Sequence, residues 1–349
     1  MSASSDRTPA PDVGAARTPS TTSGTEGAGA SSARVPDFFV VGHPKSGTTA
    51  LTQMLRRHPQ VFMPMKEPRF FAPELRSRHR HLGPGKAPET LDSYLALFAS
   101  ARPGERVGEA TPSYLRSHEA AARIAEVAPG ARIVAILREP ASFLRSFHLQ
   151  SVHNHVETQK SFRRAIELEP ARRRGRRIPR LSQSPQTLLY SDHVRYTDQL
   201  RRFHEHFGRE QVLVLIYDDY RADNRGTLRR LMRFLDLQEP AEEPATVETP
   251  PLPGLRSLTL HQIERGVKLA RLNPRSRSPA LRAVNTVLPP KLHSRRFEQA
   301  WNKVVYKPAP PVDEELMTEL RRRFKGEVEA VSEYLGRDLV SLWGYDRLG

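Results

Sequence analysis

The stretch VVGHPKSGTTALTQML, residues 40–55, joins an apolar run to a helical pattern through a short glycine-flanked turn. The apolar run is typical of a buried strand, and Leu51, Met54 and Leu55 recur on one face of the helix that follows. A strand that ends in such a turn and opens a helix aims backbone N–H groups and the positive end of the helix dipole at one point. The stretch therefore predicts a site for anionic oxygens at a strand end.

The cation of this turn is displaced from the position that nucleoside triphosphatases use. Their loop reads G-x-x-x-x-G-K-[ST], with lysine directly after the second glycine. Gly42 and Gly47 keep that spacing, and Thr49 keeps the hydroxyl group. Thr48 stands where the lysine belongs, and Lys45 lies inside the loop instead. An ordinary strand-to-helix turn is the alternative, but strand, cation, hydroxyls and amphipathic helix all occur in the order that an anion site needs.

Short apolar runs alternate with longer amphipathic runs from Arg34 onward, as in a parallel α/β sheet. We therefore predict an α/β, three-layer fold in which a central, mostly parallel sheet is flanked by helices, similar to P-loop NTPases. Residues 238–254, rich in Pro and Glu, are interpreted as a surface connection. The predicted strands are 37–42, 132–140 and 211–220, with a strand end and turn at 108–115, and the predicted helices are 48–58, 117–128, 141–152, 227–237 and 313–343.

Composition excludes several classes of site. The chain has 349 residues and no cysteine, which excludes disulfides, cysteine-ligated zinc and thiolate nucleophiles. Its longest apolar runs, such as VLVLI at 212–216, are strand-sized, so no transmembrane segment is expected. The net charge of +16 favours anionic partners. Six arginines lie within 171–180, the cluster Arg172–Arg180, which we interpret as a solvated loop or helix end because no aromatic residues interleave it to stack on bases.

Residues 1–34 have the composition of a disordered leader. They contain 26 Ser, Thr, Gly, Ala or Pro residues and no Leu, Ile, Phe, Tyr or Trp. Such a segment buries too little apolar surface to offset its ordering entropy. It also lacks the apolar run of a secretory signal, so a cytoplasmic location is expected. The domain that carries the function is predicted to span residues 35–349.

The run PKSGTT, residues 44–49, resembles the 5′-phosphosulfate loop of sulfotransferases that use 3′-phosphoadenosine 5′-phosphosulfate (PAPS). The resemblance implies that Lys45 contacts the phosphosulfate and helps the bridging oxygen leave. It also implies that the loop residues bind the donor without a metal ion, because a sulfuryl group carries less charge than a terminal phosphoryl group. The loop residues concerned are Ser46, Gly47, Thr48 and Thr49.

A second motif, LREPASFLRSFH at 137–148, resembles the 3′-phosphate site of the same family. Arg138 directly follows a predicted buried strand, and Ser146 lies eight residues later. Arg138 offers a fork of donors to a phosphate dianion, and Ser146 lies about two helical turns on, close to the same helix face. The alternative is an arginine paired with a carboxylate beside a neutral surface serine. The resemblance covers roughly residues 36–345 and includes VGEATPSYL at 107–115, where Ala110 replaces the lysine common in the family.

Glu67, in KEPRFF, is the expected general base. A glutamate in the corresponding segment of related glycan sulfotransferases is assigned as the base, and the resemblance transfers that role here. Phe70 and Phe71 are expected to wall the pocket against water, and Lys66 to hold substrate or tune the acidity of Glu67. An ion pair of Glu67 with Lys66 or Arg69 is the alternative. The competing candidates for the base are three histidines, His148, His153 and His155. The carboxylate of Glu109 is a further candidate.

The C-terminal run RRFEQAWNKVVYKPAPP, residues 295–311, resembles the basic segment that covers the nucleotide in this family. Arg295, Arg296 and Lys307 are its candidate donor contacts, and Trp301 is a candidate for stacking on the purine.

The sequence therefore predicts a PAPS-dependent sulfotransferase that acts on a hydroxyl of a small-molecule, lipid or glycan acceptor. The released product is 3′-phosphoadenosine 5′-phosphate (PAP), and neither metal nor nucleic acid is expected to bind. A Mg²⁺-dependent P-loop kinase or NTPase that uses Asp218 or Asp219 is the alternative. A basic protein that binds RNA or anionic membranes through the arginine cluster is a third hypothesis.

Overall fold

Strand β1 (Phe38–Gly42) lies in the middle of a five-stranded sheet whose order is β2-β3-β1-β4-β5. Every pairing in this sheet is parallel, and β1 is hydrogen-bonded to β3 on one side and β4 on the other. The five residues of β1 are all buried, as expected of a parallel sheet covered on both faces. The predicted α/β fold with a parallel sheet flanked by helices is confirmed.

The structure is a computed structural model, and it describes residues 34–64, 67–75, 88–179, 182, 185–239, 252–263, 301 and 303–348. The predicted leader up to residue 33, Lys66, Arg180, most of the predicted connection, Arg295 and Arg296 lie outside the described residues. The strands are β1 Phe38–Gly42, β2 Val61–Phe62, β3 Arg106–Ala110, β4 Arg132–Leu137, β5 Val212–Ile216, β6 Gly254–Leu255 and β7 Tyr306–Lys307. The helices are α1 Thr48–Arg57, α2 Leu91–Leu95, α3 Ala120–Val127, α4 Pro140–His153, α5 Phe162–Glu167, α6 Glu169–Arg173, α7 Tyr190–His193, α8 Tyr196–His204, α9 Tyr217–Ala222, α10 Asn224–Phe234, α11 Glu314–Leu335 and α12 Leu339–Leu342.

The main predicted elements are present within a few residues of their expected bounds, with two corrections. The predicted helix at 313–343 is two helices, because Gly336 ends α11 in a left-handed conformation and Asp338 caps the start of α12. Strand β5 ends at Ile216, and Tyr217 begins α9, so residues 217–220 are helical and not part of a strand. Asp218 and Asp219 lie in the first turn of α9, where negative charge is favourable. The chain therefore turns away from the sheet four residues earlier than the apolar pattern predicts.

The two faces of the sheet carry separate cores because side chains alternate along each strand. Phe39 and Val41 of β1 pack into the core formed with α4, α8 and α11, whereas Phe38 and Val40 pack into the core formed with α1 and α10. Helix α11 packs on α4 and α8, so the C-terminal part of the chain covers the first of these faces. No helix among the described residues is long and apolar enough to cross a membrane.

Candidate active site

The turn between β1 and α1 has the conformation that an anion-binding loop needs. Lys45 and Gly47 both have left-handed backbone angles, with φ of 62° and 90°. Gly47 is the N-cap of α1 and forms no side-chain cap, which leaves the first N–H groups of the helix for another partner. A Cβ atom at Gly47 would meet the rings of Tyr220 and Tyr217 at 3.4–3.5 Å. Glycine at this position therefore relieves backbone strain more than it avoids a clash.

Lys45 and Arg138 lie side by side although they are far apart in sequence. The Arg138 Nη1 atom donates a hydrogen bond to the main-chain oxygen of Lys45 at 2.9 Å. Burial lowers the pKa of Lys45, and the Arg138 guanidinium lowers that pKa further. The two cationic groups repel each other, so this part of the cavity favours anionic ligand groups.

Arg138 is fixed from two further sides. Its guanidinium lies 4.7 Å from the ring centroid of Tyr217, a cation–π contact, and the Tyr196 hydroxyl donates to its carbonyl oxygen at 2.8 Å. Tyr217 is a site residue that the sequence did not indicate, because the run that contains it was assigned to a strand. Its ring borders both Gly47 and Arg138, so it joins the two motifs at the cavity wall.

Glu139 starts α4 and so sets the direction of the second motif. Its carboxylate caps the helix by accepting from the N–H groups of Ala141 at 3.0 Å and Ser142 at 2.7 Å. Pro140 occupies the first helical turn, where a missing N–H costs nothing. Helix α4 then presents Ser142 and Ser146, one turn apart, to the same space as Arg138.

One cavity of about 990 Å³ brings the predicted motifs together. Lys45, Arg138, Ser146 and Glu67 all contribute to its wall. Ser46 is fully buried and does not line it. The other lining residues that the argument uses are Gly47, Thr48, Thr49, Ser142, Arg145, Tyr217, Tyr220 and Arg321.

Glu67 reaches the cavity from the segment that follows β2. Its side chain is 47% exposed and forms an ion pair with Arg69 at 3.1 Å. This contact is the ion pair with Arg69 that was considered as the alternative role of Glu67. It is compatible with a role in the cavity, because an exposed ion pair contributes little to stability and breaks readily. Phe70 and Phe71, expected at the pocket wall, instead pack against Tyr94 in the core. The expectation that they enclose the cavity is wrong.

Glu109 lies beneath the Glu67 segment and is fully buried. Its carboxylate accepts hydrogen bonds from the hydroxyl groups of Thr111 at 2.6 Å, Tyr94 at 2.7 Å and Tyr114 at 3.2 Å. Burial raises its pKa to about 7, against the effect of these three donors. The Tyr114 oxygen in turn accepts from the N–H of Phe71 at 3.2 Å. Glu109 therefore supports the segment from below and has no access to an acceptor.

None of the three candidate histidines lines the cavity. His148 bonds the Gln159 carbonyl at 2.8 Å through Nε2, and burial lowers its pKa. His153 bonds the Pro253 carbonyl at 2.5 Å, and His155 stacks on His261 with ring centroids 4.1 Å apart. These contacts stabilise the fold and lie outside the cavity wall.

His43, which sequence analysis did not single out, lies within the first loop itself. It is completely buried, and its Nε2 atom lies 2.7 Å from the Gln199 side-chain oxygen. Burial lowers its pKa to about 4, so the ring is neutral near pH 7 and anchors the loop without adding charge.

The acidic pair that a magnesium-dependent enzyme would need is already occupied. Asp219 forms a bidentate pair with Arg337, and Asp218 accepts from the Trp343 indole at 2.9 Å. Neither aspartate lines the cavity. No group of three or more potential metal-binding side chains occurs among the described residues.

The arginine cluster divides into a buried and an exposed part. Arg172 is buried and forms two hydrogen bonds with Glu157, at 2.6 and 2.8 Å, so its interpretation as solvated is wrong. Arg174, Arg176 and Arg177 are exposed, as that interpretation predicts.

Lys307 does not reach the large cavity. It lines a separate cavity of about 70 Å³ together with His148 and His153. Trp301 is half-buried and packs against the small cluster around Val305. A donor contact by either residue stays a prediction.

The chain is similar in sequence to known proteins of one family. The model of the Sulfotransferase family matches residues 36–241, more than half of the chain. Mouse heparan sulfate glucosamine 3-O-sulfotransferase 3B1 is 29% identical over 211 residues, which cover 60% of this chain and 48% of that protein. The mouse 3-O-sulfotransferase 6 is 33% identical over 121 residues, 34% of this chain and 31% of that protein. The matched part of the chain thus spans about half or less of the length of these curated relatives.

Among solved structures, a sulfotransferase from Alicyclobacillus acidocaldarius superposes with a TM-score of 0.60 at 24% identity. The match covers 89% of this chain and 99% of that one, and it supports the fold.

Proposed function

The chain belongs to the sulfotransferase family, and from that premise we propose that it transfers a sulfuryl group from PAPS to a hydroxyl group of a glycan. The observation that carries the proposal is the shared cavity, in which the Lys45 turn, Arg138 with Ser146, and Glu67 face the same space. A donor with phosphates at both ends of an adenosine needs two separate anion sites. The two turns after β1 and β4 supply them.

The turn after β1 binds the 5′ end of the donor. Its N–H groups, the hydroxyls of Thr48 and Thr49, and the Lys45 ammonium converge where the leaving phosphate develops negative charge. Arg138 and Ser146 bind the 3′-phosphate at the other end. Tyr217, between the two sites, offers an aromatic face to the nucleoside.

Glu67 accepts the proton of the acceptor hydroxyl as its oxygen attacks sulfur. A new bond forms between the acceptor oxygen and sulfur. The bond from sulfur to the bridging oxygen breaks, and its electron pair stays on the bridging oxygen, which becomes part of the 5′-phosphate of PAP. The Lys45 ammonium stabilises the negative charge on the bridging oxygen. Arg69 holds the Glu67 carboxylate at 3.1 Å and has to release it when the acceptor binds.

A glycan acceptor is favoured over a small apolar one. The curated relatives are heparan sulfate sulfotransferases by name, and this chain carries a net charge of +16. A polyanionic chain is attracted to such a surface. Transfer of labelled sulfate from PAPS to heparan sulfate, a neutral polysaccharide and a simple phenol tests the order of preference. Turnover with the phenol alone would contradict a glycan acceptor.

Calorimetry tests the donor directly. PAP is expected to bind with EDTA present, and more tightly than ATP with Mg²⁺. Lys45→Ala and Glu67→Gln are expected to abolish turnover, whereas Glu67→Gln retains PAP binding because its carboxylate does not contact the donor. Magnesium-dependent ATP binding that exceeds PAP binding would restore the kinase alternative. Full activity of Glu67→Gln would remove the base.

A further inference from the structure

Arg321 lines the donor cavity from the C-terminal half of the chain. It lies on α11, together with Met317, and both residues line the cavity that Arg138 and Ser146 also line. Its side chain is 30% exposed, so the guanidinium is partly desolvated and still open to the cavity. Nothing in the sequence indicates that Arg321 is a binding residue, because it is one of three consecutive arginines in a helical pattern.

Glu139 lies close to Arg321, but no hydrogen bond joins the two side chains. The Arg321 Nε atom lies 3.8 Å from the Glu139 carboxylate, and Glu139 directly follows Arg138 at the start of α4. That carboxylate already accepts two helix N–H groups and the Tyr345 hydroxyl, the latter at 2.7 Å. Within the described part of the chain, this long contact is the only ion pair of Arg321. The guanidinium thus lies beside the first turn of α4, and none of its donors forms a hydrogen bond with another described residue.

Arg145 approaches the same space from α4 itself. It precedes Ser146, lines the cavity, and donates from Nη2 to the Pro310 carbonyl at 2.7 Å. It forms no other hydrogen bond with a described residue, so its remaining donors are open to a ligand, and Ala309 and Val312, near Pro310, line the same cavity.

Arg138 has fewer donors to spare than its sequence motif implies. One of its Nη atoms is committed to the Lys45 carbonyl, and one face is covered by Tyr217. A phosphate dianion bound by this arginine and one serine hydroxyl would be only partly neutralised. Additional cations at this end of the cavity would complete its coordination.

We propose that Arg321, assisted by Arg145, is a further binding residue for the 3′-phosphate of the donor. The inference rests on the proposed function, which supplies the phosphate. The same guanidinium could bind an anionic group of the acceptor, so the experiment separates these two sources.

PAP and adenosine 5′-monophosphate form a matched pair of ligands, since they differ only by the 3′-phosphate. Calorimetry is expected to show that Arg321→Gln weakens PAP binding by about 10- to 100-fold, the range of a charge-assisted hydrogen bond. Binding of adenosine 5′-monophosphate is expected to be unchanged. Arg321→Lys keeps the charge and is expected to retain part of the PAP affinity. Arg322→Gln removes the same charge from the same helix outside the cavity and is expected to bind PAP like the wild type.

Three results would overturn the inference. An equal loss of affinity for both ligands would place Arg321 away from the 3′-phosphate. Unchanged PAP binding with a raised KM for the glycan would assign Arg321 to the acceptor. If the wild type itself does not prefer PAP over adenosine 5′-monophosphate, the proposed donor is wrong as well. That result differs from the first two, which contradict only the role of Arg321. Thermal unfolding of each variant, with Arg321→Lys as the conservative case, separates lost binding from lost folding.

Discussion

The guanidinium of Arg138 donates to the main-chain carbonyl oxygen of Lys45 at 2.9 Å, although the two residues are 93 positions apart. This bond connects the turns after β1 and β4, neighbouring strands of the sheet. The distance between the two proposed phosphate sites is therefore set by the sheet and by one hydrogen bond.

Arg138→Lys is expected to weaken PAP binding by at least about tenfold, because a lysine cannot contact the Lys45 carbonyl, stack on Tyr217 and bind phosphate at once. Turnover should fall too, since the Lys45 turn loses its support. Calorimetry and kcat measurements check both effects. Arg132→Lys is the control and should leave PAP affinity unchanged, because Arg132 begins β4, at the end away from Arg138, and pairs with Asp236.

Gly47→Ala and Gly326→Ala are expected to have opposite effects on stability. Gly47 has φ of 90°, so alanine there is strained and should lower the free energy of unfolding by about 1–2 kcal/mol and weaken PAP binding. Gly326 lies inside α11, and an added Cβ would meet no atom within 4 Å beyond its chain neighbours and the backbone of its own helix, so alanine should stabilise by about 0.5–1 kcal/mol. Urea unfolding measures both. A Gly47→Ala protein with unchanged stability and affinity would contradict the strain argument.

Glu109 is expected to make stability fall as pH rises from about 4.5 to about 7. Its folded-state pKa is raised from 4.5 to about 7, so the native state binds more protons than the unfolded state in that window. Glu109→Gln should remove this part of the pH dependence, worth on the order of 3 kcal/mol. Urea unfolding at pH 5, 6, 7 and 8 provides the test. Glu126→Gln, at an exposed position on α3, is the control, and identical profiles for Glu109→Gln and wild type would refute the assignment.

Arg172→Met is expected to destabilise the fold by about 3–5 kcal/mol, because Glu157 would remain buried without its partner. The double variant Arg172→Met/Glu157→Gln should recover part of that loss, since both buried charges are then gone. Arg174→Met, at an exposed position two residues on, should change stability by less than about 0.5 kcal/mol. Equal effects of the two arginine variants in chemical unfolding would contradict the division of the cluster.

The parts of the site that could be predicted are those encoded locally. The strand, the glycine turn and α1 follow one another in sequence, so Lys45 and Gly47 could be placed from the pattern alone. The spacing of Arg138 and Ser146 could be interpreted in the same way, because a helix of known periodicity separates them.

The parts that could not be predicted depend on how distant elements pack. Arg321 reaches the cavity only because α11 lies against α4. The Phe70 and Phe71 rings pack in the core beside Tyr94, and a pair of aromatic residues has the same sequence pattern in either location. The early end of β5 depends on the C-terminal segment, because Arg337 and Trp343 hold the two aspartates in the first turn of α9.

The contacts of this C-terminal segment also determine when the wall of the large cavity becomes complete during synthesis. Arg337 and Trp343 fix the turn that carries Tyr217, and Tyr345 fixes the Glu139 carboxylate beside Arg138. All five strands of the sheet leave the ribosome before these three residues do. A nascent chain can therefore assemble its sheet early, but the Tyr217 turn and the Glu139 carboxylate gain these contacts only once residues 337–345 have been synthesised.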